Sequence, residues 1–193
     1  MKSIINKKNY KMKSIKFLGL FILTALFSSN TFAQTKMVGG ATMYPTKNIV
    51  ENATNSKDHT TLVAAVKAAG LVPTLESKGP FTVFAPTNEA FDALPAGTVE
   101  TLLKPENKAK LTSILTYHVV AGKLSSKDLM KMVKEHMGKA TLKTVEGENL
   151  YVTMKEHHMM ITDENGGTAE ITIADVNQSN GVIHVINKVL LPK

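Results

Sequence analysis

The segment FTVFAPTNEAF, Phe81 to Phe91, limits the possible folds of this chain more than any other stretch. Phe81 to Ala85 is rich in residues suited to a buried strand, and Pro86, which has no N–H to give a ladder, must end it. Thr87 then stands where a helix N-cap belongs, and Glu89 falls in a first turn where the helix dipole favours an acid. Ala90 and Phe91 turn back inward. No activating base stands beside Thr87, so the corner reads as architecture and not as a catalytic turn.

Helical patterns occupy most of the chain before and just after this corner. Asn48 is placed to cap a short helix, and a longer one follows in which Leu62, Ala65, Val66 and Ala69 share a face. Asp58 is placed to cap that helix, and Gly70 supplies its left-handed stop. Two further patterns cover Thr98 to Leu103 and Pro105 to Leu115. TYHVVAG reads as a strand, which would put Tyr117 and His118 on opposite faces. Ser125 and Asp128 form a capping box for a helix through Glu135, closed by Gly138.

From Ala140 the character changes. ATLKTV, LYVTM, MMIT and TAEITIADV alternate with turns at EGEN, KEHH and ENGG, and GVIHVINKVLLP supplies a last strand. Helices first and hairpins last predict an α+β fold with segregated layers. Residues 34–44 contain Gly-Gly and lack periodicity, which reads as an arm leading into a single domain over 45–193.

The first 33 residues read as a secretory signal. Lys13 and Lys16 precede the apolar run Phe17 to Phe27, and Thr31 and Ala33 suit the −3 and −1 positions of a cut after Ala33. As a helix that run would reach only about 16 Å, too short for a hydrocarbon core of roughly 30 Å. MKSI recurs at Met1 and Met12, so synthesis starting at Met12 is an alternative. These 33 residues hold six lysines and no acid, so six of the seven net positive charges belong to them; the remainder carries 17 Lys against 16 acidic residues. A near-neutral chain without arginine lacks the forked donors that suit phosphates, which argues against a nucleic-acid partner. Cysteine is absent, which excludes disulfides, thiol nucleophiles and a lipidated Cys anchor. The expected setting is secreted or periplasmic, with no stable membrane insertion once the signal is removed.

Three ordered segments, FTVFAPTNEAF, LTYHVVAGK and NGVIHVINKVLLP, resemble the two sequence boxes and the central Tyr-His motif of fasciclin domains. TLVAAVKAAGLVPTL and LPAGTVETLLKPENKAKL are similar to bacterial secreted members. The likeness covers Pro45 to Pro192. It implies a fasciclin-like wedge of mainly antiparallel strands with helices packed beside it, and a non-enzymatic role in adhesion or extracellular association. The partner would be an extracellular protein or polysaccharide, and no cofactor is implied. Carried over residue by residue, the motif positions are Tyr117, His118, His184 and Asn187. Asn187 stands where that box often has Asp, which removes a charge.

His118 and His184 each sit in an apolar pattern, where an imidazole held neutral by desolvation bridges other groups. A structural role is the simpler reading of both. Two competing functions remain. His157, His158, Met159 and Met160 combine imidazole and thioether, which suits copper or another metal in an oxidising compartment. An uncharacterised hydrolase is the other, although the sequence shows no nucleophile elbow, HExxH or framed carboxylate pair.

Overall fold

The computed structural model describes residues 35–193. The expected export signal over 1–33 and the alternative start at Met12 lie outside the described residues. A hairpin of β1 (Lys36–Val38) and β2 (Ala41–Met43) comes first. Where an arm was expected, Val38 and Met43 are buried in the core. Two glycines with positive φ, Gly39 and Gly40, allow the tight reversal that aims both side chains inward.

Helices α1 (Ile49–Ala53), α2 (Thr60–Ala69) and α3 (Val72–Glu76) lead to strand β3 (Phe81–Pro86). Then come α4 (Asn88–Asp92), α5 (Thr98–Leu102), α6 (Lys108–Tyr117) and β4 (Val119–Ala121). The last part comprises α7 (Ser126–Glu135), β5 (Lys139–Lys143), β6 (Asn149–Lys155), β7 (His158–Thr162), β8 (Thr168–Gln178) and β9 (Gly181–Ile186).

The opening corner folds as its residues dictate. β3 ends at Pro86, and the Thr87 side chain accepts from the Ala90 N–H at 3.3 Å. Asn48 with Glu51 and Ser125 with Asp128 form capping boxes. Gly70 closes α2 in the left-handed conformation. Asp58 does not cap α2. It sits in a 3-10 turn over Lys57–His59, and the acceptor for the Thr61 N–H is Asn88 Oδ1 at 3.0 Å, reaching across from α4.

The strands order as β4-β3-β9-β8-β7-β6-β5, antiparallel except for the β3-β9 pair, which is parallel. The fold is therefore α+β, a mainly antiparallel sheet with helices beside it. The sheet curls until its two ends meet: Val120 of β4 bridges Thr144 just beyond β5, and the Val145 N–H donates to the Val119 carbonyl at 2.7 Å.

Two apolar clusters flank the central strands. Val83, Ala85, Ile183 and Val185 face the cluster built with α2 and α6, while Phe84 and Ile186 face a second one inside the curl. Strands buried on both faces read as continuous apolar runs, as β3 and β9 do. Close approach of this pair needs Gly181, where a Cβ would stand 2.1 Å from the Phe81 carbonyl oxygen.

Candidate functional site

Tyr117 and His118 do not lie in a strand. Tyr117 is the last residue of α6 and His118 its C-cap, with β4 beginning one residue later. Leu111, Ile114, Leu115 and His118 have the spacing of one helix face, so the imidazole stays with the helix and reaches its own preceding turn. His118 Nε2 accepts from the Leu190 N–H at 3.1 Å, which leaves Nδ1 to donate to the Ile114 carbonyl at 2.8 Å. With the residue 3% exposed, burial pulls its pKa down to about 4, against a smaller upward pull from the Ile114 carbonyl. The ring is a neutral clasp between α6 and the chain's end.

Tyr117 is wholly buried inside the curl. Its hydroxyl donates to the Asn149 carbonyl at 2.8 Å and accepts from the Glu164 N–H at 3.2 Å, so one phenol joins α6 to two strand turns. Burial pushes its pKa up to about 12.

His184 is likewise fully buried, in the middle of β9 and stacked on Phe84 with ring centroids 5.7 Å apart. The Asp175 N–H donates to its Nδ1 at 3.3 Å, and its Nε2 donates to the Leu124 carbonyl at 2.9 Å. Burial lowers its pKa, with the Leu124 carbonyl and Asp175 opposing. Asp175 has φ +56 at an irregularity in β8, and its carboxylate accepts from the Ser126 N–H at 2.7 Å, at the start of α7. The motif side chains thus join elements. Asn187 is exposed just beyond β9; its Oδ1 accepts from the Glu170 N–H at 2.8 Å, a task an aspartate could share.

The His/Met segment is divided by the strand period. His157 is exposed in the two-residue turn between β6 and β7, and His158 and Met160 point to the outer face of β7 while Met159 is buried on the inner one. His158 Nδ1 contacts a Glu170 carboxylate oxygen. The four side chains therefore do not converge. Among the described residues no group of three or more His, Cys, Asp or Glu side chains is arranged to hold a metal ion.

What β5 to β8 do present is a broad outer face. Lys139, Thr153, Met160 and Glu170 form one cross-strand row, and Thr141, Tyr151, Thr162 and Thr168 the next. Lys139 Nζ stands 3.9 Å from the centre of the Tyr151 ring. α7 packs on the opposite side, where Leu129 and Val133 join Ala140, Leu142, Leu150 and Val152. An amphipathic aromatic among small polar groups, rimmed by charge, has the makeup of a contact surface. The period-2 alternation of LYVTM and MMIT was the signal for it.

Sequence reasoning missed several buried polar groups, Asn180 and His59 among them. Asn180 accepts from the Ile49 N–H at 3.0 Å and donates to the Leu75 and Ser77 carbonyls, tying the β8-β9 turn to the helical side. His59 is 3% exposed, its Nδ1 2.8 Å from Ser56 Oγ.

A family model described as Fasciclin domain matches residues 57–192. Protein sll1483 of Synechocystis sp. is 45% identical over 168 residues, covering 87% of this chain and 86% of its own length. The immunogenic protein MPB70 of Mycobacterium bovis is 37% identical, over 72% of this chain and 66% of its own. The solved structure of a FAS1 domain pair from the insect cell adhesion molecule fasciclin I has the same fold, with a TM-score of 0.68 and 21% identity. That match covers 75% of this chain and 51% of the pair.

Proposed function

This chain belongs to the fasciclin domain family, a family of non-enzymatic domains, and on that premise we propose that it is an exported adhesion module, acting by surface contact outside the cytoplasm. The observation that carries the reading is the outer face of β5 to β8. Its side chains stand free of helical cover, with Tyr151 and Met160 at its centre and Lys139 and Glu170 at its edge. The motif residues hold the elements beneath it in fixed register, which lowers the entropic cost of contact. Among the described residues no helix is long and apolar enough to cross a membrane, so export rests on the leader read from the sequence. The partner is an extracellular protein or polysaccharide.

Immobilised full chain is the test. Cells or polysaccharide are expected to be retained well above a bland protein coating, and a Tyr151→Ala/Met160→Ala variant should lose most of that retention with an unchanged far-UV spectrum. Retention equal to the bland coating overturns adhesion. Undiminished retention by the double variant overturns this face as its seat.

A further inference from the structure

The helical side of the molecule contains an apolar cavity of about 80 Å³. α2 runs along it: Leu62, Val63, Val66 and Lys67 line it with the spacing of a single helix face, and His59 lines it from the 3-10 turn just before the helix. The His59 end is closed, with Ser56, Ile49 and Ala85 buried around it. Lining residues that reach solvent include Lys67, Val72 and Thr74, at the other end of the helix and the start of α3, and also Val50 and Ala53 of α1 and Val145 past β5. The cavity is a slot whose mouth beside Lys67 and Thr74 is one of its openings.

One polar atom in the slot has no partner. Among the described residues, His59 Nε2 is the buried side-chain nitrogen or oxygen that makes no hydrogen bond. Burial lowers the His59 pKa; the Ala85 carbonyl, which opposes that, lies nearby but outside hydrogen-bond geometry. A buried group left in that condition keeps its desolvation penalty uncompensated and needs an explanation. Water is the competing one: an enclosed water needs two to four polar partners and would find Nε2 and the Ala85 carbonyl, but not His118, the other imidazole in the lining, whose nitrogens are both committed.

We propose that the slot is a binding site for a small unbranched aliphatic alcohol, with the hydroxyl on His59 Nε2 and the chain lying along α2 toward the mouth. A hydroxyl donates or accepts, so it satisfies Nε2 in either tautomer that Ser56 sets. A carboxylate at the closed end would be buried without a countercharge, which is expensive. The volume encloses only the hydroxyl end of such a chain, since an apolar cavity of about 150 Å³ holds benzene and this one is about half that, so the far carbons leave through the mouth. The assignment is independent of the adhesion reading, whose face lies on β5 to β8.

The test is a ¹H–¹⁵N NMR titration of the full chain with hexan-1-ol, and in parallel with hexanoate. Hexan-1-ol should give saturable shifts centred on the α2 amides and Leu75, with a change at His59 Nε2 in the imidazole ¹⁵N spectrum, and hexanoate should bind more weakly. His59→Leu should weaken hexan-1-ol about fivefold, the worth of one hydrogen bond of about 1 kcal/mol. Val63→Phe, at the half-exposed wall, should block the slot with an unchanged far-UV spectrum, and it carries the test if the His59 variant fails to fold. The proposal is overturned by unsaturable or scattered shifts, by a silent His59 Nε2, or by full affinity in either folded variant. Hexanoate binding as tightly as the alcohol overturns it too, since an acid held at Lys67 leaves Nε2 unpaired.

Discussion

A histidine whose two nitrogens are both engaged deep in a protein makes stability depend on pH. His118 has a folded pKa of about 4 against an ordinary 6.5. Between those values the unfolded chain binds the proton first, so the contribution is full above pH 6.5 and is lost as pH falls through 4. From about pH 7.5 to 4.5 this one ring withdraws about 2–3 kcal/mol. Urea unfolding at the two pH values should show His118→Gln less sensitive to acid by that amount; equal sensitivity would mean that burial does not hold the ring neutral. Tyr117→Phe should cost about 1–3 kcal/mol at neutral pH, because the Asn149 carbonyl and Glu164 N–H lose a buried partner. An unchanged midpoint would show that water replaces the hydroxyl. That His118 and His184 are buried was legible in their apolar settings. Their partners were not, since Leu190 and Leu124 come from distant segments and Asp175, nine residues before His184, meets it only through the irregularity in β8.

Caps and close approaches govern the elements. Asn88→Ala should lower stability by about 1 kcal/mol, read from the melting midpoint, although it lies outside the helix it caps. If Asp58→Ala costs as much and Asn88→Ala nothing, the sequence assignment of the cap was the better one. Local signals served well where donor and acceptor are neighbours, as at Thr87, Asn48 and Ser125. They failed at α2, whose acceptor is 27 residues away. The strand read in TYHVVAG exists at Val119–Ala121, but Thr116 to His118 were misread for another reason. Tyr, Val and Val favour strands, and that preference hid the one-face spacing of Leu111, Ile114, Leu115 and His118, which carries α6 through Tyr117. The hairpin at 36–43 was invisible because three-residue strands are too short to show a period.

The whole molecule is organised around β3 and β9, which give alternate side chains to two cores. Neither core can be lost while the shared strands stay paired, so the domain should unfold once. Leu62→Ala and Leu150→Ala, one in each core, should each lower the same transition by about 2–5 kcal/mol, with tyrosine fluorescence and far-UV circular dichroism coincident. Two separated transitions would show the cores to be independent. The segregation of helices and hairpins was legible from the change of period at Ala140, and so was the deep burial of two continuous apolar runs. Their parallel pairing was not, because it joins segments about a hundred residues apart. Closure of the curled sheet has a consequence for life at high density. Unsatisfied strand margins are where neighbouring copies nucleate fibrils, and here β4 and the chain just past β5 spend theirs on each other. A surface crowded with this domain can therefore remain a lawn of separate molecules.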